Sequence, residues 1–226
     1  MQITEIYKSI QGESTYAGLP CVFVRLTGCN LRCSWCDSEY TFSGGSRMSL
    51  EEVAERVEQL SASGLVEITG GEPMLQGKEV VPLMQRLMDG GYTVLLETSG
   101  ERPLHGVPKG VIKIVDVKCP NSGEVDTFNP ENLDALDSTD EVKFVLSDHT
   151  DYEFAKLFIA RHNLTGRVNA ILFSPAFSKA AVGARDTGHC LLDPRELAEW
   201  MLADQVAARL SLQIHKFIWD PAMKGV

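Results

Sequence analysis

The chain lacks an excess of positive charge. Its 226 residues include 21 lysine and arginine residues against 31 aspartate and glutamate residues, a formal net charge of −10. Nucleic acids and anionic membrane surfaces attract proteins with the opposite balance. The composition therefore argues against a general nucleic-acid binder and against a membrane-surface protein, and we expect neither as a partner.

Long apolar runs are also missing. No run reaches the roughly 18 residues of a membrane-spanning helix, and residues 1–10 have no apolar core of a secretory signal. Because disulfide frameworks belong mainly to small secreted domains, we expect a cytoplasmic protein with reduced cysteines. The length and the 44% hydrophobic content fit one soluble domain over residues 1–226.

Strand-like and helix-like patterns alternate along the chain. The strand patterns lie at 21–26, 65–69, 92–97, 111–117, 141–146, 168–173 and 212–215, and the helix patterns at 50–60, 79–89, 151–162 and 194–210. This order is typical of an α/β fold with a mainly parallel sheet. Because about seven strands fall short of a complete eightfold barrel of ~250 residues, we predict a partial TIM-like barrel of parallel strands with flanking helices. A doubly wound sheet is the alternative.

Ligands of such folds collect at the carboxyl ends of the parallel strands. Five segments follow predicted strands in this way, namely 27–29, 69–73, 98–100, 118–120 and 174–175. The first of them opens a cysteine-rich loop, so the position and the chemistry of that loop agree.

Three of the six cysteines lie within eight residues, at Cys29, Cys33 and Cys36. Structural zinc sites usually take four protein ligands, often as two close pairs, and no second pair is present. Three thiolates suit three irons of a cubane cluster, whose fourth iron stays open to another ligand. The spacing favours a [4Fe–4S] cluster; a zinc knuckle completed by a remote residue, or three unrelated thiols, are the alternatives. We expect the other cysteines to be small buried apolar residues: Cys21, Cys119 and Cys190.

The cysteine motif, with Trp35 before its last cysteine, resembles that of the radical S-adenosylmethionine superfamily. The run Gly70-Gly71-Glu72-Pro73 resembles the second motif of that superfamily. The resemblance implies that the three cysteines hold a [4Fe–4S] cluster and that S-adenosylmethionine chelates the fourth iron. It also implies that Gly70, Gly71 and Glu72 contact the methionyl amine, for which glycine allows close backbone approach and a carboxylate or carbonyl accepts a hydrogen bond.

Shorter motifs resemble one family within that superfamily, the 7-carboxy-7-deazaguanine synthases. They are Gln11-Gly-Glu13, Gly28-Cys29, Cys36-Asp-Ser38, Leu96-Glu-Thr-Ser-Gly100, Asp116-Val-Lys118 and Gln213-Ile-His-Lys216. The resemblance implies conversion of 6-carboxy-5,6,7,8-tetrahydropterin to 7-carboxy-7-deazaguanine with loss of ammonia, on the route to queuosine. It further implies Mg²⁺, a flavodoxin-type reductant and a homodimer.

The same resemblance assigns cofactor roles. It places Mg²⁺ on Ser38, with Asp37 as the alternative ligand; magnesium prefers oxygen ligands and keeps several waters. Beyond the glycine-rich motif, the resemblance implies further contacts with S-adenosylmethionine. For each of these residues, capping of a loop is the alternative role: Trp35, Cys36, Asp37, Gly100, Asp116, Val117, Lys118 and Ser174.

The substrate residues have partly independent support. Strand alternation places Arg25 on one face with Phe23, and a buried arginine needs an anionic partner. That partner is a substrate carboxylate or, alternatively, Glu72 or another acid in a structural ion pair. Gln213 and His215 share a face of the last predicted strand and offer donors and acceptors to a pterin. The remaining substrate residues come from the resemblance: Ile10, Gln11, Gly12, Glu13 and Thr98.

Two features depart from the family pattern. Ser14 stands where the family turn often has glycine. The stretch 176–192 matches no motif, and both a lid and a dimer element are possible roles for it.

Two other functions stay as alternatives: an activase that installs a glycyl radical on a partner protein, and a non-enzymatic iron–sulfur electron-transfer module. An activase has less use for the pterin-type residues, and three rather than four clustered cysteines argue against the module.

Overall fold

A computed structural model describes residues 1–61, 64–178, 189–220 and 223–225 of the chain. The central part of the stretch considered as a lid or dimer element, 179–188, lies outside the described residues. The helices within the described ranges are α1 (Leu50–Leu60), α2 (Gly77–Asp89), α3 (His149–His162), α4 (Pro194–Asp204) and α5 (His215–Ile218). The strands there are β1 (Gln2–Ile10), β2 (Pro20–Leu26), β3 (Ser46–Arg47), β4 (Leu65–Gly70), β5 (Thr93–Thr98), β6 (Ile112–Asp116), β7 (Glu141–Leu146), β8 (Ala170–Pro175) and β9 (Arg209–Leu210).

All these strands form one sheet, in the order β3-β1-β2-β4-β5-β6-β7-β8-β9. Strand β1 is antiparallel to both of its neighbours, and every pair from β2 to β9 is parallel. In the described part of the chain, β3 and β9 are the two ends of this order and do not pair with each other. The sheet is therefore not closed, and the prediction of a partial barrel of parallel strands is confirmed.

Local sequence explains where the helices begin. The Ser49 hydroxyl accepts a hydrogen bond from the Glu52 N–H at 3.2 Å, and the Glu52 carboxylate accepts one from the Ser49 N–H at 2.7 Å. This reciprocal capping box starts α1. The Asp148 carboxylate caps α3 by accepting from two backbone N–H groups of the first turn.

The two faces of the sheet differ in chemistry because strand side chains alternate between them. One face packs against the helices, and the main apolar core lies between them. The strands contribute residues such as Val24, Leu26, Ile68, Leu96 and Phe144, and the helices contribute Val57, Leu83, Tyr152 and Leu197. The other face holds a small apolar cluster made of Cys21, Phe23, Leu65, Leu95 and Ile114. Further along the same strands this second face carries charged and polar residues, so a polar site is built at the carboxyl end of the sheet.

The C-terminal part of the prediction is wrong. The helix predicted over 194–210 ends at Asp204, where Gln205 adopts a left-handed φ of 51°, and a short strand then follows at 209–210. The strand predicted over 212–215 is absent. The Ile214 N–H instead donates to the Gly12 carbonyl at 2.9 Å, and the chain enters α5 at His215. Strand β1 was not predicted.

Within the described ranges, no helix combines the length and the apolar character that crossing a membrane requires.

Candidate active site

A cavity of about 210 Å³ lies at the carboxyl ends of the parallel strands. Its walls are the ends of β2 and β4–β7, the turn after β1, the cysteine loop (residues 29–36) and the segment before α5. The structure brings most of the predicted site residues to this cavity: Ile10, Gln11, Gly12, Glu13, Arg25, Cys29, Cys33, Trp35, Cys36, Asp37, Ser38, Gly70, Gly71, Thr98, Asp116, Lys118, Gln213 and His215.

Four predicted cofactor residues lie outside the cavity lining. Val117 is buried in the apolar core. A Cβ on Gly100 would lie 2.6 Å from Val115 Cγ1, so this glycine serves close packing. The Ser174 hydroxyl is buried without a hydrogen-bond partner in the described part of the chain. The cofactor contacts predicted for these residues and for Glu72 stay predictions.

The Glu72 carboxylate is fully buried and is used by the protein itself. One oxygen accepts from the Met74 N–H at 2.9 Å and from the Thr98 hydroxyl at 2.8 Å. The other accepts from the Ser99 N–H at 2.8 Å and from the Ser99 hydroxyl at 2.7 Å. Glu72 therefore braces the ends of β4 and β5, and Gly70 and Gly71 are the residues of that motif that face the cavity.

The cysteine loop is held by one internal hydrogen bond and by contacts with neighbouring segments. The Cys36 N–H donates to the Cys33 carbonyl at 3.2 Å, and the Ser34 N–H donates to the Ser122 carbonyl at 2.9 Å. The first part of the loop lies against Gly71, where a Cβ would come within 2.8 Å of the Cys29 Cβ. The three thiols therefore reach the cavity from one braced loop.

All six cysteines are free thiols. Burial raises the pKa of Cys33 to about 11 and also raises the pKa of Cys29. Metal binding to these thiols would therefore release protons. Cys21 and Cys119 are buried as predicted, whereas Cys190 is only partly buried.

No group of three His, Cys, Asp or Glu side chains in the described ranges converges as ligands of a single metal ion. This is compatible with a cubane cluster, because each of its irons takes one thiolate and the three thiolates need not meet at one point.

The turn after β1 is fastened to the C-terminal segment. A Cβ on Gly12 would lie 2.0 Å from His215 Nδ1, so only glycine fits there. The Gln11 amide donates to the Glu67 carboxylate, and its oxygen accepts from the Glu13 N–H. Ser14 has a φ of 60°, the left-handed region that favours glycine. The turn therefore has the left-handed backbone conformation typical of glycine, although serine occupies this position.

Lys143 joins the two sides of the cavity floor. Its ammonium donates to Glu13 at 2.7 Å and to Glu97, and it lies 3.8 Å from Asp116. Burial disfavours the charge of Lys143, but Glu13 and Glu97 outweigh it and raise the lysine pKa well above its ordinary value. Burial likewise opposes ionisation of Glu13, and nearby Lys143 and His215 nevertheless lower its pKa to about 2.

Arg25 meets acidic and phenolic partners on the cavity wall. Its Nε donates to Glu5 at 2.9 Å, and its Nη2 donates to the Tyr7 hydroxyl at 2.6 Å. The structural ion pair considered from the sequence is thus present with Glu5, and Glu72 is not its partner. Arg25 still lines the cavity, with 18% of its side chain exposed.

The candidate magnesium ligands differ in their surroundings. The Asp37 carboxylate pairs with Lys216 at 2.7 Å. The Ser38 hydroxyl lies 3.8 Å from Cys36 Sγ. Both residues line the cavity, and the assignment of magnesium to either of them stays a prediction.

Comparisons with known proteins agree with this geometry. The sequence model of the Radical SAM superfamily matches residues 23–147. The chain is 63% identical to the 7-carboxy-7-deazaguanine synthase of Koribacter versatilis over all of both chains. It is 41% identical to the same enzyme of Chlorobaculum tepidum, over 100% of this chain and 97% of that one.

The chain belongs to the 7-carboxy-7-deazaguanine synthase family.

Membership of this family confirms the resemblance read from the motifs, and with it a radical S-adenosylmethionine enzyme that uses a [4Fe–4S] cluster and S-adenosylmethionine. A crystal structure of QueE from Escherichia coli shares the fold, with a TM-score of 0.72 over 93% of this chain and 92% of that one. At 24% identity that likeness concerns the fold alone.

The residues at the cavity fit the cofactors of the family. Three free thiols on one loop supply one ligand for each of three irons. Gly71 packs directly against the start of the cysteine loop, since a Cβ there would lie 2.2 Å from the Gly28 carbonyl oxygen, and this contact holds the loop at the cavity. Asp116 Oδ1 is buried in the cavity wall without a hydrogen-bond partner among the described residues. Such an acceptor suits a hydroxyl of the nucleoside.

Sequence reasoning missed several residues of the cavity. They are chiefly Tyr7, Glu67, Glu97, Lys143 and Lys216. A signal for three of them was available, because Glu67, Glu97 and Lys143 interrupt apolar strand runs. Charged residues at such positions need partners, so they mark places where a strand face turns toward a site or an ion pair.

Proposed function

We propose that the chain converts 6-carboxy-5,6,7,8-tetrahydropterin to 7-carboxy-7-deazaguanine and releases ammonia. The observation that carries the proposal is a single cavity that joins a three-thiol loop to a pocket of paired acids, amides and cations. The name shared by the relatives supports the product, and the cavity has the groups that such a substrate requires.

Cys29, Cys33 and Cys36 would hold the cluster, and the backbone at Gly70 and Gly71 would receive the methionyl end of S-adenosylmethionine. When bound, these cofactors would supply radical chemistry at the pterin. The protein positions the substrate, excludes water and balances charge around that chemistry.

The substrate would lie over the floor formed by Glu13 and Lys143. Arg25 would bind its carboxylate, since a guanidinium offers donors in a planar fork. Gln213 donates to Glu13 at 2.8 Å and, with His215, forms the wall beside the pterin edge. Thr98 donates to Glu72, so its contact with substrate would come from its remaining lone pair or its methyl group.

The proposal includes Mg²⁺ bound through Ser38 and substrate oxygens, where it would stabilise developing negative charge. It also includes a flavodoxin-type reductant, a homodimer, one domain over residues 1–226 and a cytoplasmic location. These parts rest on the family resemblance and on the composition.

The test is anaerobic reconstitution with iron and sulfide, followed by incubation with dithionite, S-adenosylmethionine and the carboxypterin. Wild-type protein should form the deazaguanine, and Cys33→Ala should form neither cluster nor product. Cys190→Ala is the matched control because Cys190 lies outside the cavity lining, and it should retain activity. Cleavage of S-adenosylmethionine without change in the pterin would contradict the substrate assignment.

A further inference from the structure

Two carboxyl groups meet on the floor of the cavity. Glu67 on β4 lies opposite Leu95 of β5 in the parallel register, so Glu97 is its diagonal neighbour on the same face. Glu97 lies close enough to Glu67 to help raise the pKa of that carboxyl group. Glu67 is only 1% exposed, and both residues line the cavity.

Two adjacent carboxyl groups can hydrogen-bond to each other only if one of them carries a proton, because carboxylates accept and do not donate. The other hydrogen bonds that the structure describes to these two carboxyl groups come from donors, and Glu13 is a further acid near Glu67. The Lys143 ammonium and the Thr69 hydroxyl donate to Glu97, the latter at 3.4 Å, and the Gln11 amide donates to Glu67. Burial and the adjacent Glu97 raise the pKa of Glu67 well above its ordinary value. The raised pKa of Glu67, together with its burial beside a second acid, favours a proton on the Glu67 carboxyl group.

The proposed reaction needs an acid and a base together. Substrate and product differ by the atoms of ammonia, so the overall reaction uses no external oxidant or reductant. Once the ring has contracted, the carbon–nitrogen bond of the amine must break, and a neighbouring carbon must lose a proton. One proton is given and one is taken, which leaves the proton count of the enzyme unchanged.

We propose that the Glu67–Glu97 pair is the acid and base of the ammonia-releasing step, an inference that rests on the proposed function. Glu67 gives its proton to the departing nitrogen, which leaves as ammonia with the electron pair of the broken bond. The carboxylate pair then takes the proton from the adjacent carbon, and the C–H electron pair becomes the new ring double bond. The pair returns to its singly protonated state.

The pair lies where this step would take place. Gln11 links it to the turn assigned to substrate, and Lys143 links it to Glu13, another acid of the cavity floor. Lys143 and Glu13 are poorer candidates for proton transfer. The lysine is held charged by its acidic neighbours, and the low pKa of Glu13 makes that carboxylate a weak base without a proton to give.

Glu67→Gln tests the inference because it keeps the shape and the hydrogen bonds of the pair. The glutamine amide can donate to Glu97 and its oxygen can accept from Gln11, but it has no transferable proton. Glu141→Gln is the matched control, since Glu141 is also a buried strand glutamate but lies outside the cavity lining. Glu67→Asp retains a protonatable carboxyl group and serves as the conservative variant.

Each reconstituted protein is incubated with S-adenosylmethionine, dithionite and the carboxypterin, and ammonia and all pterin-derived species are measured by mass spectrometry. Glu67→Gln should release ammonia at least about 100-fold more slowly, the usual scale of general acid–base catalysis. It should still consume substrate, and an isomer of unchanged mass should accumulate on the enzyme. Glu67→Asp should recover part of the ammonia release, and Glu141→Gln should match wild type.

Wild-type rates of ammonia release from Glu67→Gln would overturn the inference. Equal loss of substrate consumption and ammonia release, with no isomer, would also overturn it, because that result indicates a role in binding or folding. A wild-type enzyme that leaves the carboxypterin unchanged would overturn the proposed function itself, and this inference with it.

Discussion

Replacement of Glu72 separates bracing of the cavity from binding of the cofactor. This fully buried carboxylate accepts four hydrogen bonds, two on each oxygen. Each pair of donors combines one backbone N–H, from Met74 or Ser99, with one hydroxyl, from Thr98 or Ser99. In Glu72→Gln the amide nitrogen must face one of these pairs. The hydroxyl can turn and accept, but the backbone N–H then faces another donor.

The structure sets the size of the effect. One buried donor left without a partner costs about 1–3 kcal/mol, so Glu72→Gln should lose about 2 kcal/mol of unfolding free energy. Glu72→Ala leaves both backbone donors unpaired and should lose about 4 kcal/mol by the same reasoning. At roughly 2–4 °C per kcal/mol for a chain of this size, the expected decreases in Tm are about 4–8 °C and about 8–16 °C.

The assay is thermal unfolding of the metal-free protein under reducing conditions, with S-adenosylmethionine affinity of the reconstituted protein measured in parallel. Glu131→Gln, at an exposed position, should leave Tm unchanged and serves as the control. A wild-type Tm for Glu72→Gln together with lost affinity would refute the bracing role, because it would mean that the carboxylate binds the cofactor directly.

Three other substitutions test separate parts of the cavity. Gly71→Ala should prevent cluster assembly because its Cβ would lie 2.2 Å from the Gly28 carbonyl oxygen and 2.8 Å from the Cys29 Cβ; a full iron and sulfide content after reconstitution would contradict this. Arg25→Ala should raise KM for the carboxypterin roughly 10- to 100-fold, with a smaller change in kcat, because a hydrogen bond to a charged group contributes about 1.5–3 kcal/mol. An unchanged KM would remove Arg25 from the substrate site. Ser174→Ala should leave the urea midpoint unchanged or higher because the buried hydroxyl has no partner among the described residues; destabilisation by more than about 1 kcal/mol would mean that the hydroxyl is hydrogen-bonded.

The parallel strands β2 and β4–β8 were predictable because they are apolar, often β-branched runs, most of which end at or next to glycine, threonine or serine, whereas β9 lies where a helix was predicted. Strand β1 was not predictable, since polar residues such as Glu5 and Lys8 fill it and it lies antiparallel near the sheet edge. The segment 212–215 has a strand-like sequence, but its backbone bonds to the turn at Gly12, about 200 residues away. This contact forms only in the folded chain, so local strand propensity does not predict it.

The thiol loop was predictable from spacing, whereas the floor of the cavity was not. Glu67, Lys143 and Lys113 each interrupt an apolar strand and carry the same sequence signal. Lys113 pairs with Asp140 at 2.9 Å outside the cavity lining, whereas Glu67 and Lys143 line the cavity. Strand alternation gives the face of a side chain but not its distance from the carboxyl end of the assembled sheet. The partners of a buried charge follow only from the strand order and register.

The most direct measurement of the central claim is the mass of the carboxypterin after anaerobic turnover by the reconstituted full chain with S-adenosylmethionine and reductant. The account predicts conversion to a species lighter by the mass of ammonia, with the ultraviolet spectrum of a deazaguanine, and no conversion when S-adenosylmethionine is omitted. A carboxypterin that is unchanged while S-adenosylmethionine is cleaved would contradict the account.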